Sequence, residues 1–125
     1  MKILIVDDDD AFRGSLVTCL TLEGYSVIGV SSGREALMVL LDIEIDIMIT
    51  DILMPGMDGV ELSLNVKYEY PKLKVVGMSG GDEVISFDLI ERMSKHLMTS
   101  YIRKPFEANE LLEKIEVLEK PEMIS

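Results

Sequence analysis

The sequence predicts a single doubly wound α/β domain, (βα)5 in plan, and three observations predict it. Five short apolar runs rich in β-branched residues recur along 125 residues, each followed by a stretch with helical spacing. The connections between them are short, which favours parallel strands with helices covering both faces of one sheet. Two of the apolar runs stop abruptly at carboxylates, Asp7-Asp8-Asp9-Asp10 and Asp51, where ligands gather in sheets of this kind.

The elements follow in order. Ile3-Leu4-Ile5-Val6 is a continuous run suited to a strand buried on both faces, and Asp9 or Asp10 can cap a helix reaching about Glu23, with Gly24 as its stop. Tyr25 to Val30 is the second strand. Ser31-Ser32-Gly33 makes a turn, and Arg34 to Leu41 a helix with Ala36, Leu37, Leu40 and Leu41 at helical spacing. The third strand runs from Ile45 to Thr50 and presents Asp51 to solvent at its end. After the Pro-Gly loop, Gly59 to Tyr70 reads as a helix stopped by Pro71, and Leu73 to Met78 as the fourth strand. Ser79-Gly80-Gly81-Asp82 breaks that run. Glu83 to about Met98 is the next helix, Tyr101-Ile102-Arg103 the fifth strand, and Ala108 to Lys120 an amphipathic helix with Leu111, Leu112, Ile115 and Leu118 inward. The domain is expected over 1–120, with 121–125 a loose tail.

With 48% hydrophobic residues the chain can bury a core without staples, and its single Cys19 reads as a buried helix position in a reducing cytoplasm. No apolar stretch approaches the roughly 20 residues of a membrane span. The formal net charge of −11 repels nucleic acid and anionic membranes, so neither is an expected partner.

The strand ends carry the chemistry. Hard oxygen ligands without a neighbouring His or Cys suit Mg²⁺, with Mn²⁺ an acceptable substitute, and Asp7, Asp8 and Asp51 supply carboxylates from two strand ends. Three carboxylates repel one another unless compensated; a divalent cation and Lys104, at the end of the fifth strand, balance them formally. Such a site is primed for a phosphoryl group, whose oxygens the metal, Lys104 and the Ser79 hydroxyl can hold, with Asp51 as nucleophile.

These pieces resemble the receiver domain of two-component response regulators. The matching residues are Ile3-Leu4-Ile5-Val6-Asp7-Asp8-Asp9, Thr50-Asp51-Ile52-Leu53-Met54-Pro55-Gly56-Met57-Asp58-Gly59, Ser79, and Tyr101-Ile102-Arg103-Lys104-Pro105-Phe106, in the family's order over essentially the whole chain. Each is weak alone and specific together. The resemblance implies a flavodoxin-like, CheY-like sheet in the order 2-1-3-4-5. It implies that Asp51 takes a phosphoryl group from the phosphohistidine of a sensor kinase or phosphotransfer protein, with Asp7, Asp8, Asp51 and the Leu53 backbone carbonyl around Mg²⁺. It further implies that Ser79 is the switch hydroxyl, Tyr101 an aromatic that turns inward, and Lys104 the phosphate-binding lysine, its bond to Pro105 cis. The protein is then a signalling phosphoacceptor rather than an enzyme acting on other substrates. It would control a partner protein, or pair with a second copy, through the face of the helix over 83–98, the fifth strand and the helix over 108–120.

Plainer readings compete residue by residue. Asp9 and Asp10 are better read as helix caps, the nine Met residues as adaptable filler and His96 as bystander surface. Leu97 and Met98 depart from the small residues many receivers have there, which puts the packing before the fifth strand in question. Gly80 and Gly81 leave no side chain to guide a hydrolytic water, and Leu53 is apolar where the family often has a polar residue. Slow self-dephosphorylation is therefore expected, and rapid loss of label in Mg²⁺ buffer would refute it. A haloacid-dehalogenase-like phosphatase also begins with a strand and Asp-x-Asp, but it leaves the Asp51 loop unexplained. A flavodoxin-type binder would meet four carboxylates where its phosphate loop belongs.

Overall fold

The computed structural model describes residues 1–52, 59–80 and 98–120. Its elements alternate as β1 (Lys2–Val6), α1 (Asp10–Leu22), β2 (Ser26–Val30), α2 (Gly33–Asp42), β3 (Ile47–Asp51), α3 (Gly59–Glu69), β4 (Lys74–Ser79), β5 (Ser100–Arg103) and α4 (Ala108–Glu119). The strands form one parallel sheet in the order β2-β1-β3-β4-β5. The chain winds outward in one direction from β1 to β2 and in the other from β3 onward. The crevice between the carboxyl ends of β1 and β3 is the point where open α/β sheets bind ligands.

Strand alternation divides the core between two faces. Leu4, Val6 and Met48 pack with Ala36, Leu40, Leu62 and Val66 of α2 and α3. Ile3, Ile5, Ile47 and Ile49 pack with Leu16, Leu20, Leu111 and Ile115 of α1 and α4. Each fully buried Leu or Ile contributes about 1.5–3 kcal/mol relative to exposure, so the central strands hold the scaffold rigid beneath the site.

Local chemistry fixes where helices start and stop. Asp9 Oδ1 accepts the Phe12 N–H at 3.1 Å, capping α1, and Gly24 at φ 97° makes the left-handed turn after it. Ser32 Oγ accepts the Glu35 N–H at 3.2 Å, which draws Gly33, expected in the turn, into the first turn of α2. Glu107 and Glu110 form a reciprocal capping box at α4.

Three expectations shift. Leu41 is 76% exposed, because α2 lays Gly33, Ala36 and Leu40 on the sheet and the next residue is rotated about 100° away. Cys19 is only half-buried, one step off the Leu16–Leu20 stripe. The third strand begins at Ile47 rather than Ile45, since Asp46 uses its N–H and carboxylate to bind Lys2, at 2.9 and 2.8 Å. The helix expected over 83–98 falls outside the described residues except for Met98, which is not helical, and the tail over 121–125 also lies outside them.

Met98 is buried against Gly77 in the middle of β4, where a Cβ would collide with its sulfur. The large side chain before β5 is accommodated by the absence of one on β4, a size-matched pair across the sheet face.

Candidate functional site

The carboxyl end of the sheet gathers chemistry from four strands. Val6 pairs with Thr50 in register, so Asp7, just beyond β1, and Asp51, the last residue of β3, end side by side. Ser79 ends β4 opposite Arg103, and the Lys104 N–H donates to the Ser79 carbonyl at 2.6 Å, which carries the ladder one residue further and delivers Lys104 to the crevice. The Lys104–Pro105 peptide is cis.

Asp7 has no exposed surface, and Asp51 is 7% exposed, so Asp51 does not face solvent as its place at a strand end suggests. Its covering group comes from β5. Lys104 Nζ donates to Asp7 Oδ2 at 3.0 Å and to Asp51 Oδ2 at 3.1 Å. Burial works to lower the pKa of Lys104, but the hydrogen bond to Asp7 and the charges of Asp51 and Asp7 outweigh it, and the ammonium titrates above its ordinary value. It is a stable cation at neutral pH.

Asp7 is held from several directions. Its Oδ1 accepts the Asp9 N–H at 2.9 Å, its carbonyl accepts Arg13 Nη1 at 2.8 Å, and its N–H donates to the Val30 carbonyl at 3.1 Å. Arg13 Nη2 also pairs with Asp10 at 2.7 Å, so Asp9 and Asp10 belong to the helix terminus rather than to the cluster.

Ligand oxygens of Asp7, Asp8 and Asp51 all lie within 4.8 Å of one another, Asp8 being the exposed member. Among the described residues Lys104 is the cation seen on this acidic cluster, and Asp7 and Asp51 are out of water. A donor set of hard oxygens with excess negative charge fits a divalent cation such as Mg²⁺. Leu53, whose carbonyl was expected to complete that set, lies outside the described residues.

Ser79, 2% exposed, shares a hydrogen bond between its hydroxyl and that of half-buried Tyr101. The two expected switch residues therefore touch across adjacent strands.

Of two aromatics at the site, Phe106 belongs to the stretch singled out in the sequence, while Phe12 escapes a local reading. Lys104 Nζ stands 4.3 Å from the centroid of the Phe12 ring, and Phe106 meets that ring edge-on at 5.8 Å. In sequence Phe12 is an apolar residue in the first turn of a helix, indistinguishable from core; only its step past the acidic run hinted at the site.

Comparison with known proteins adds to this geometry. A family profile described as the response regulator receiver domain matches residues 3–116. The chain is 37% identical to the response regulator protein FleR of Pseudomonas aeruginosa over 112 residues, covering 90% of this chain and 23% of FleR. It is 34% identical to the sensor kinase CckA of Brucella abortus over 122 residues, covering 94% of this chain and 12% of CckA. The chain thus spans less than a quarter of either relative. Among solved structures, the response regulator TrrA of Thermotoga maritima, described as a complex with Mg²⁺-BeF, superposes with a TM-score of 0.81 at 30% identity, covering 94% of this chain and 97% of that one.

Proposed function

Since the chain belongs to the response regulator receiver family, we propose that Asp51 is its phosphoacceptor. The chain is a receiver domain of two-component signalling, a signalling phosphoacceptor, which leaves the haloacid-dehalogenase alternative without support. The observation that carries the assignment of Asp51 is its 3.1 Å contact with Lys104 inside a cluster shared with Asp7 and Asp8.

In the proposed reaction a carboxylate oxygen of Asp51 attacks the phosphorus of a phosphohistidine. The P–N bond breaks, its electron pair returns to the imidazole nitrogen, and the new P–O bond makes an acyl phosphate. Lys104, already between Asp7 and Asp51, turns its charge to a phosphoryl oxygen, while the buried setting strengthens that attraction. Mg²⁺, held by Asp7, Asp8, Asp51 and the Leu53 carbonyl, would supply further positive charge to the phosphoryl oxygens.

The Ser79 hydroxyl, now shared with Tyr101, is free to exchange that partner for a phosphoryl oxygen, releasing Tyr101 to turn inward. We propose that this changes the surface around β5 and α4 for a downstream protein or a second copy of the chain. The donor would be a sensor histidine kinase or a phosphotransfer protein in the cytoplasm. Among the described residues no helix is long and apolar enough to cross a membrane. We propose that the receiver domain spans 1–120.

Acetyl phosphate in Mg²⁺ buffer should label the wild-type chain, and Asp51→Asn should abolish the label while its urea melt remains cooperative. Equal labelling of Asp51→Asn would overturn the assignment.

A further inference from the structure

We propose that Phe12 is a positioning residue for Lys104, a role that rests on the reading of Lys104 as counter-cation to the phosphoryl group. The ammonium sits 4.3 Å from the centroid of the Phe12 ring, over its face, while donating to Asp7 and Asp51. An aromatic face is negative and apolar, so it attracts the cation without offering an acceptor that would compete with the carboxylates. A lysine stem has many rotamers, and a flat ring on one side removes those that swing the charge away from the crevice.

The ring is itself held in place. Phe106 meets it at 5.8 Å and 78°, the edge-to-face geometry that aromatic pairs favour. The Phe12 N–H is fixed by Asp9 in the capped first turn of α1. A residue from the loop after β5 therefore buttresses the α1 ring that faces the lysine. Phe12 is only half-buried and lies at the margin of the core cluster of α1 and α4, so its place is not explained by core filling alone.

The test is single-turnover labelling of the full chain by acetyl phosphate in Mg²⁺ buffer. Phe12→Leu should slow labelling by about threefold to thirtyfold, the rate equivalent of a partly desolvated cation–π contact. Phe12→Tyr keeps the ring face and should recover most of the rate. In a Lys104→Ala background Phe12→Leu should cause no further loss, because a residue acting through Lys104 has nothing left to position. Phe12→Met serves in place of Phe12→Leu if the latter fails to fold. A wild-type rate in Phe12→Leu, an equal loss in the Lys104→Ala background, or a Tyr variant as slow as Leu would each overturn the role. If wild type takes no label, or Asp51→Asn takes as much, the reading of Asp51 has failed and this role falls with it.

Discussion

At the carboxyl end of the sheet Asp7 and Asp51 are buried around one lysine; at the amino end Asp46 and Lys2 stay in solvent while exchanging bonds of 2.8 and 2.9 Å. The amino end also has Lys74 Nζ donating to the Leu118 carbonyl and Tyr25 bonded to Glu119, contacts that tie strand starts to the end of α4. There Asp46 and Lys2 meet through the backbone of Lys2 rather than as an ion pair, so both charged groups keep much of their hydration. At the other end two desolvated carboxylates share the Lys104 ammonium, and taking such charges out of water is costly. A cavity of about 750 Å³ lies at the amino end, between Leu41, Tyr70 and Lys74, remote from the clustered carboxylates. The carboxyl-end site is marked by charge taken out of water.

Lys104→Ala should slow phosphorylation from acetyl phosphate by about a hundredfold, the usual loss when one preorganised electrostatic donor is removed. Asp46→Asn, at the amino end, should leave that rate unchanged. A comparable loss in both variants would mean that the ends are not functionally distinct.

Magnesium gives the next effect. At a hundred times its dissociation constant it should raise unfolding stability by about 2.7 kcal/mol in urea melts. That gain should vanish in Asp7→Asn and persist in Asp46→Asn. An undiminished gain in Asp7→Asn would place the cation elsewhere.

The smallest effect belongs to the amino end. Its hydrogen bond to Glu119, then burial and the charges of Glu119, Glu116 and Glu23, push the Tyr25 phenol up from 10.0 to about 12. The folded state thus holds this proton more tightly than the unfolded chain does. The stabilisation is complete below pH 10 and is lost as pH rises towards 12. Tyr25→Phe should therefore be slightly less stable than wild type at pH 9, with the gap closing by pH 12 in urea melts, as 2.303RT linkage requires. A gap that widens would contradict the assignment.

Particular residues explain what could be read from sequence. β1 is legible because Ile3 to Val6 has no polar interruption, and β4 because Val75 and Val76 sit between turn signals; the start of β1 and both ends of β4 move by one residue when the ladder is counted. The burial of Asp51 is not legible, since its cover, Lys104, arrives from β5 and no local pattern announces that contact. Phe12 is hidden for the same reason, its meaning depending on where Lys104 lands. Leu41 and Cys19 have helical spacing but fall just outside the stripe that the sheet selects. Met98 reads as a misfit until Gly77 opposite it is seen to make room.

One carboxylate among three within a short reach is the proposed acceptor. Reducing the phosphorylated wild-type chain with borohydride converts an acyl phosphate to an alcohol at the modified residue, which peptide mass mapping then locates. Conversion is expected at residue 51 alone; conversion at Asp7 or Asp8 with Asp51 intact would contradict the assignment of Asp51.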